Sequence, residues 1–225
     1  MKSLAALAIV LTFVTLAATG SVGSQSSTQG VWSEKARLPE PRGEVAAAAV
    51  DGKIYVLGGS ASGNDAQTLN EEYTPATDRW RVRAPMPSGL SHVGAAGMNG
   101  KIYVVGGFTR NVHMDARDVA FEYDPATNSW KSAAPLPTPR SSTAVTFYKG
   151  LILVAGGECN NGKTFVENEA YDPKTDRWQS LAPMMPTGRH GFRAATVGPY
   201  AYFPGGAGGC GGGAVSDTML VFSLP

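Results

Sequence analysis

The chain has 225 residues, with 19 Lys plus Arg against 18 Asp plus Glu, and only 16% of its side chains are charged while 43% are hydrophobic. That length holds one ordinary domain or a short repeat array, and Gly at 28 positions marks a turn-rich chain. Nothing here builds the concentrated basic surface that nucleic-acid phosphates require, so that class of partner is set aside.

Residues 1–24 read as an export signal. Lys2 gives the positive start, Leu4 to Ala18 is an uncharged apolar run, and Ala18 with Gly20, or Val22 with Ser24, offers small residues for cleavage. The apolar run is shorter than the roughly 20 residues that span a bilayer, so no membrane insertion is expected and the mature protein belongs in the periplasm or the medium. Once Lys2 is removed the mature chain is formally neutral. Residues 25–30 form a polar linker, and residues 31–225 carry the fold.

Internal repetition dominates residues 31–225. Gly pairs stand at Gly58/Gly59, Gly106/Gly107, Gly156/Gly157 and Gly205/Gly206, and tryptophans at Trp32, Trp80, Trp130 and Trp178, each series stepping by about 49 residues. Tyr73, Tyr123 and Tyr171 each stand a fixed distance before a Trp. Within each unit an Ala/Gly/Val-rich strand is followed by a turn such as Asp51-Gly52 or Asn99-Gly100, which is a hairpin signal. A second strand then ends at the Gly pair. After a variable loop, a third strand ends at the Tyr; Asp124-Pro125 or Asp172-Pro173 turns the chain, and a fourth strand begins at the Trp. Four antiparallel strands, repeated, make a propeller blade.

These coupled Gly-Gly, Tyr and Trp positions resemble the kelch repeat over residues 31–225. The resemblance implies that the Gly pairs permit close backbone approach and positive φ, and that the Tyr and Trp pack between blades. Four units give an all-β, kelch-type β-propeller of four blades with four antiparallel strands each. The C-terminus stops after a third strand, with Phe222 at the Tyr position, while the N-terminus begins with a fourth strand at Trp32. The N-terminal strand is therefore expected to close the last blade, giving a monomer and removing exposed edges; the alternative is a chain that has lost two blades of a larger ring and closes under strain or by pairing two chains.

The loops before first strands and after second strands share one end of every blade, and that end is the candidate binding face. Arg42, Arg140 and Arg189 occupy one repeat position there, replaced by Leu90 in the second unit. They read either as guanidinium groups for a carboxylate or sugar hydroxyls, or as donors to carbonyls and a carboxylate of the adjoining blade. His190, Arg110 and Asn160 join the ligand-binding candidates. Arg193 places a long cation where the other units have Ala46, Gly94 and Ala144, near the axis. The glycine-rich run 205–213 reads as a flexible loop.

No metal site or cofactor is expected. A copper radical oxidase similar to galactose oxidase would need a Cys-linked Tyr, a second Tyr and two His at one metal, and His92, His113 and His190 do not supply that pattern. The reading is a binding or interaction module for a protein or glycan. The alternative is a carbohydrate-active isomerase: resemblance to exported sialic acid mutarotases implies an acid/base pair with an arginine, for which Glu158 with Arg189 or Arg193 are the catalytic candidates. Cys159 and Cys210 lie in equivalent loops of neighbouring units, and export favours their forming a disulfide.

Overall fold

Two-residue turns set the first hairpin of each blade. Asp51-Gly52, Asn99-Gly100 and Lys149-Gly150 all have positive φ at both positions, the turn whose twist matches that of the strands it joins. The computed structural model describes residues 32–61, 65–110, 114–158, 162–184 and 187–225. Residues 35–225 form one compact unit and residues 1–34 a separate one. The export signal and linker thus lie outside the described residues.

Blade 1 comprises β1 (Ala46–Val50), β2 (Lys53–Leu57), β3 (Asn70–Thr74) and β4 (Arg79–Val82). Blade 2 comprises β5 (Gly94–Met98), β6 (Lys101–Val105), β7 (Ala120–Asp124) and β8 (Ser129–Ser132), and blade 3 comprises β9 (Ala144–Tyr148), β10 (Leu151–Ala155), β11 (Asn168–Asp172) and β12 (Arg177–Ser180). Each is a four-stranded antiparallel sheet in chain order. Tyr73, Tyr123 and Tyr171 stand opposite Trp80, Trp130 and Trp178 in register. In blade 4, β13 (Ala195–Val197), β14 (Tyr200–Pro204) and β17 (Met219–Phe222) form a three-stranded sheet. The glycine-rich run expected as a loop instead forms a hairpin, β15 (Ala207–Gly209) and β16 (Gly213–Val215), around a tight turn at Cys210–Gly212.

Strand alternation sends one face of each sheet to the preceding blade and the other to the next. Three apolar clusters result, one for each junction between consecutive blades. Tyr55 meets Tyr123 across the first junction with ring centroids 5.9 Å apart, and Tyr103 meets Tyr171 across the second at 6.0 Å. The tryptophans fasten the rim: Trp130 Nε1 donates to the Ala84 carbonyl of the preceding blade at 2.8 Å, and Trp178 Nε1 to that of Ala134 at 2.7 Å.

The two glycines of each pair have different tasks. The first makes room for the next blade: a Cβ on Gly106, at φ +63°, would lie 2.1 Å from the Arg140 carbonyl oxygen, and Gly58 and Gly156 meet the Leu90 and Arg189 carbonyls in the same way. The second makes room for its own blade, since a Cβ on Gly59 would lie 2.5 Å from the Gly43 oxygen and one on Gly157 2.7 Å from that of Ser141. Its N–H still reaches forward, with Gly59 donating to Leu90 at 2.9 Å, Gly107 to Arg140 at 3.2 Å and Gly157 to Arg189 at 2.7 Å. The fourth pair departs from the expected role. Gly205 and Gly206 face Ser216 and His190 of their own blade, and the Gly206 carbonyl accepts the Ser216 N–H at 2.8 Å.

The junctions differ chemically. At the first, the Tyr55 hydroxyl donates to Glu72 at 3.1 Å, Lys53 Nζ donates to the same carboxylate at 2.7 Å, and Arg83 Nε donates to the Tyr123 hydroxyl at 2.9 Å. Blade 2 repeats the set, with Lys101 and Tyr103 donating to Glu122. In blade 3 the corresponding residues are Leu151, Leu153 and Ala170, an apolar group.

The expected closure of the last blade is not found. Among the described residues β17 pairs with β14 alone, and Trp32 is fully exposed and outside any strand. The entering chain is nonetheless seated on blade 1, where Asp78 Oδ1 accepts the Ala36 N–H at 2.8 Å and Trp80 Nε1 donates to the Ala36 carbonyl at 2.8 Å, as blades 2 and 3 hold Ala84 and Ala134. These contacts hold the entering chain on the rim of blade 1. Among the described residues blade 4 has three strands, with β17 outermost.

Candidate functional site

Each first strand is preceded by a residue in the left-handed region: Glu44 (φ 53°), His92 (54°), Ser142 (52°) and Gly191 (64°). This conformation disfavours side chains other than Gly, and here it lets the backbone link the blades. His92 N–H donates to the Glu44 carbonyl at 3.1 Å, and Ser142 N–H to the His92 carbonyl at 2.9 Å. The loops before first strands and after second strands do share an end, through bridges Gly43 to Ser60, Ser91 to Phe108, Ser141 to Glu158 and His190 to Ala207.

That end encloses a cavity of about 720 Å³ on the axis, with lining residues from all four blades. Two carboxylate–imidazole pairs face it. Glu158 and His190 are both buried, with Glu158 Oε2 3.1 Å from His190 Nδ1, and the Ser142 hydroxyl donates to Glu158 Oε1 at 2.6 Å. Across the cavity Glu44 Oε2 lies 3.2 Å from His92 Nε2, and His92 packs edge-on against Phe108. His190 Nε2 is 2.8 Å from the Gly209 carbonyl. Because a carbonyl only accepts, that nitrogen carries a proton. Nδ1 is the ring nitrogen turned toward Glu158. Arg193 lines this cavity and the smaller one of about 50 Å³ beneath it.

Of the sequence candidates, Glu158, His190 and Arg193 therefore come together. The three repeat-position arginines do not line the cavity, and their guanidinium groups serve their own blades. Arg42 donates to the Gly58 carbonyl at 2.7 Å and to Glu71 at 2.6 Å. Arg140, fully buried, donates to the Gly156 carbonyl at 2.8 Å, the Val154 carbonyl at 3.1 Å, the Thr138 carbonyl at 2.9 Å and Glu169. Arg189 donates to the Gly205 carbonyl at 2.9 Å and the Thr218 hydroxyl at 2.5 Å. These arginines join the first and second strands' loops to the third strand, which corrects the picture of a guanidinium ring for ligand. Burial pushes the Arg140 guanidinium below its ordinary value, with Glu169 opposing the shift.

Arg110 is exposed after Phe108 and does not border the cavity. Asn160 and Cys159 lie outside the described residues, as does His113; Cys210 occupies the turn of the β15–β16 hairpin, and no free cysteine is found among the described residues. Glu44, His92, Ser60 and Ser142 were not singled out by sequence. The signal was present, since Glu44, His92, Ser142 and Gly191 each follow the Arg/Leu position by two. Among the described residues no group of three His, Cys, Asp or Glu is placed to hold a metal ion, and no helix is long and apolar enough to cross a membrane.

Residues 22–206 match the KLHDC2/KLHL20/DRC7 kelch-repeats domain. No curated protein matches the chain. Among solved structures, that described as the structure of YjhT superposes with a TM-score of 0.70 at 24% identity over 81% of this chain. The chain spans 65% of that structure's length, and the likeness is one of fold.

Proposed function

This chain belongs to the kelch-repeat family, and from that premise we propose that it is an exported binding module whose axial cavity takes a glycan. The carrying observation is the cavity itself: about 720 Å³ lined by two carboxylates, two imidazoles, the Ser60 and Ser142 side chains and Arg193. A surface with so many donors and acceptors suits a ligand rich in hydroxyls, and Arg193 favours one bearing a carboxylate. Isothermal calorimetry against neutral and acidic sugars tests this. Binding that falls at least tenfold in Arg193→Ala, with unchanged melting temperature, supports the reading; binding that survives Arg193→Ala and Glu44→Ala places the ligand elsewhere, and a protein ligand on the outer loops becomes the better account.

The Glu158–His190 pair favours a second reading, isomerisation of a sugar. Opening a cyclic hemiacetal requires removal of the anomeric hydroxyl proton and delivery of a proton to the ring oxygen, and a carboxylate hydrogen-bonded to an imidazole can do both in turn. Anomer exchange followed by NMR, abolished by Glu158→Gln in a folded protein, would support catalysis. Binding without exchange supports the module.

Export is part of the proposal. The apolar run Leu4–Ala18 and a Cys159–Cys210 disulfide both suit an oxidising compartment, and the lack of a free cysteine among the described residues supports the bridge. N-terminal sequencing of protein recovered outside the cytoplasm, and its mass after alkylation without reduction, test both. A start at Met1 or two alkylated cysteines would overturn them.

A further inference from the structure

Each internal junction is made of two halves. The trailing face of one blade, carrying Tyr55 and Leu57 or Tyr103 and Val105, covers the leading face of the next, so that Ile102, Val104, Ile152 and Val154 are all fully buried. Among the described residues, blades 1 and 4 each present one half without its counterpart. On the leading face of blade 1, Ile54 is 39% exposed where Ile102 and Ile152 are 0%, and Ala47 and Ala49 beside it are also exposed. On the trailing face of blade 4, Tyr202 occupies the Tyr55 position, and Val197, Met219 and Val221 around it are 64%, 56% and 53% exposed. Apolar groups gathered on one sheet face in this way mark an interaction surface.

We infer that the trailing face of blade 4 docks on the leading face of blade 1 of a second copy of this chain, head to tail. Two observations select a copy over an unrelated partner. The two open faces are the two halves of a junction the chain already builds three times, with Tyr202 placed to meet Tyr73 as Tyr55 meets Tyr123 and Tyr103 meets Tyr171. The rim is complementary as well. On blades 2 and 3 the slot at the Trp receives Ala84 and Ala134, delivered by the preceding blade's fourth strand, and on blade 1 that slot already holds Ala36. Among the described residues blade 4 has three strands, with β17 outermost. The copy that offers blade 1 therefore brings the piece that blade 4 lacks. Such a contact joins different surfaces on the two molecules, so it generates a closed ring or an open chain according to its rotation.

The test is sedimentation velocity on the purified protein from micromolar to near-millimolar concentration, with Ile54→Asp and Val221→Asp as variants. The wild type is expected to associate with rising concentration, each variant to remain a monomer alone, and an equimolar mixture of the two to form a discrete two-chain species, because each variant keeps one intact half. Circular dichroism and the melting temperature check folding, and Ala49→Arg with Met219→Lys provide a second pair on the same faces. A wild type that stays monomeric throughout overturns the inference, as does a mixture that remains monomeric. Variants that still self-associate would also overturn it, since the contact would then join like faces.

Discussion

Replacing Arg140 by Leu separates a structural role for the repeat-position arginines from a ligand-binding one. The guanidinium is fully buried and donates to three carbonyls and to Glu169. Its removal leaves a buried carboxylate without its cation, which costs about 3–5 kcal/mol, and the carbonyls lose donors worth about 1 kcal/mol each. These contributions overlap, so we expect a loss of about 4 kcal/mol. For a domain of this size that lowers the melting temperature by about 8–16 °C. The second blade shows the remedy, for it has Leu90 at the Arg position and Phe121 at the Glu position, both in the apolar core. Arg140→Leu with Glu169→Phe should therefore recover most of the loss, because a buried ion pair is often replaced by apolar groups at little cost. Thermal melts followed by near-ultraviolet circular dichroism, with sugar binding measured in parallel, give both readouts. Arg140→Leu that melts like the wild type yet loses ligand would refute the reasoning and restore the arginine to the binding surface.

Burial, then donation to Glu72, raises the Tyr55 phenol far above its ordinary value; burial with Glu122 does so for Tyr103, and burial with Asp176 for Tyr171. A raised folded value means that this stability is fully present below the ordinary phenol value of about 10 and declines as the pH rises past it. Absorbance at 295 nm should show these tyrosines ionising only as the protein unfolds, and full reversible ionisation of a folded protein would contradict this. Asp176 is held below its ordinary value by the Ala134 N–H and then the Tyr171 hydroxyl, and Asp78 by the Tyr73 hydroxyl and then the Ala36 N–H. The stability they contribute is present above about pH 4 and is lost as the pH falls further; urea midpoints at descending pH should drop, and Asp176→Asn should flatten the dependence. Gly106→Ala forces a Cβ to 2.1 Å from the Arg140 carbonyl at φ +63° and should cost at least about 2 kcal/mol. Gly213→Ala, with φ −74° and open space around it, should change the urea midpoint little.

The blades were legible because their signals are local and repeated: a two-residue turn, a Gly pair, and a Tyr facing a Trp across one hairpin. Closure was not legible, because whether Trp32 reaches β17 depends on angles accumulated over three junctions, and no single residue encodes them. Gly205 and Gly206 likewise read like the other pairs, although among the described residues they face their own blade. Glu158, His190 and Arg193 could be placed at the axial end from strand direction alone. The arginines misled because a cation in a loop reads the same whether it faces solvent or the blade. Their partners were nevertheless written in the chain: the units with Arg42 and Arg140 carry Glu71 and Glu169 two positions before the Tyr, and the unit with Leu90 carries Phe121 there.

Glu72 and Glu122 each accept from a Lys and a Tyr, while blade 3 carries Leu151, Leu153 and Ala170 instead. Repeat proteins risk misassembly because their units are alike, and a sheet can dock on the wrong neighbour while the chain is still collapsing. Here docking blade 1 or 2 where blade 3 belongs would press a Lys–Tyr–Glu set against Phe203 and Leu220, which instead receive the apolar face of blade 3. The third junction is therefore the one whose chemistry marks its place in the order, because a misplaced blade would bury Lys and Glu against apolar groups.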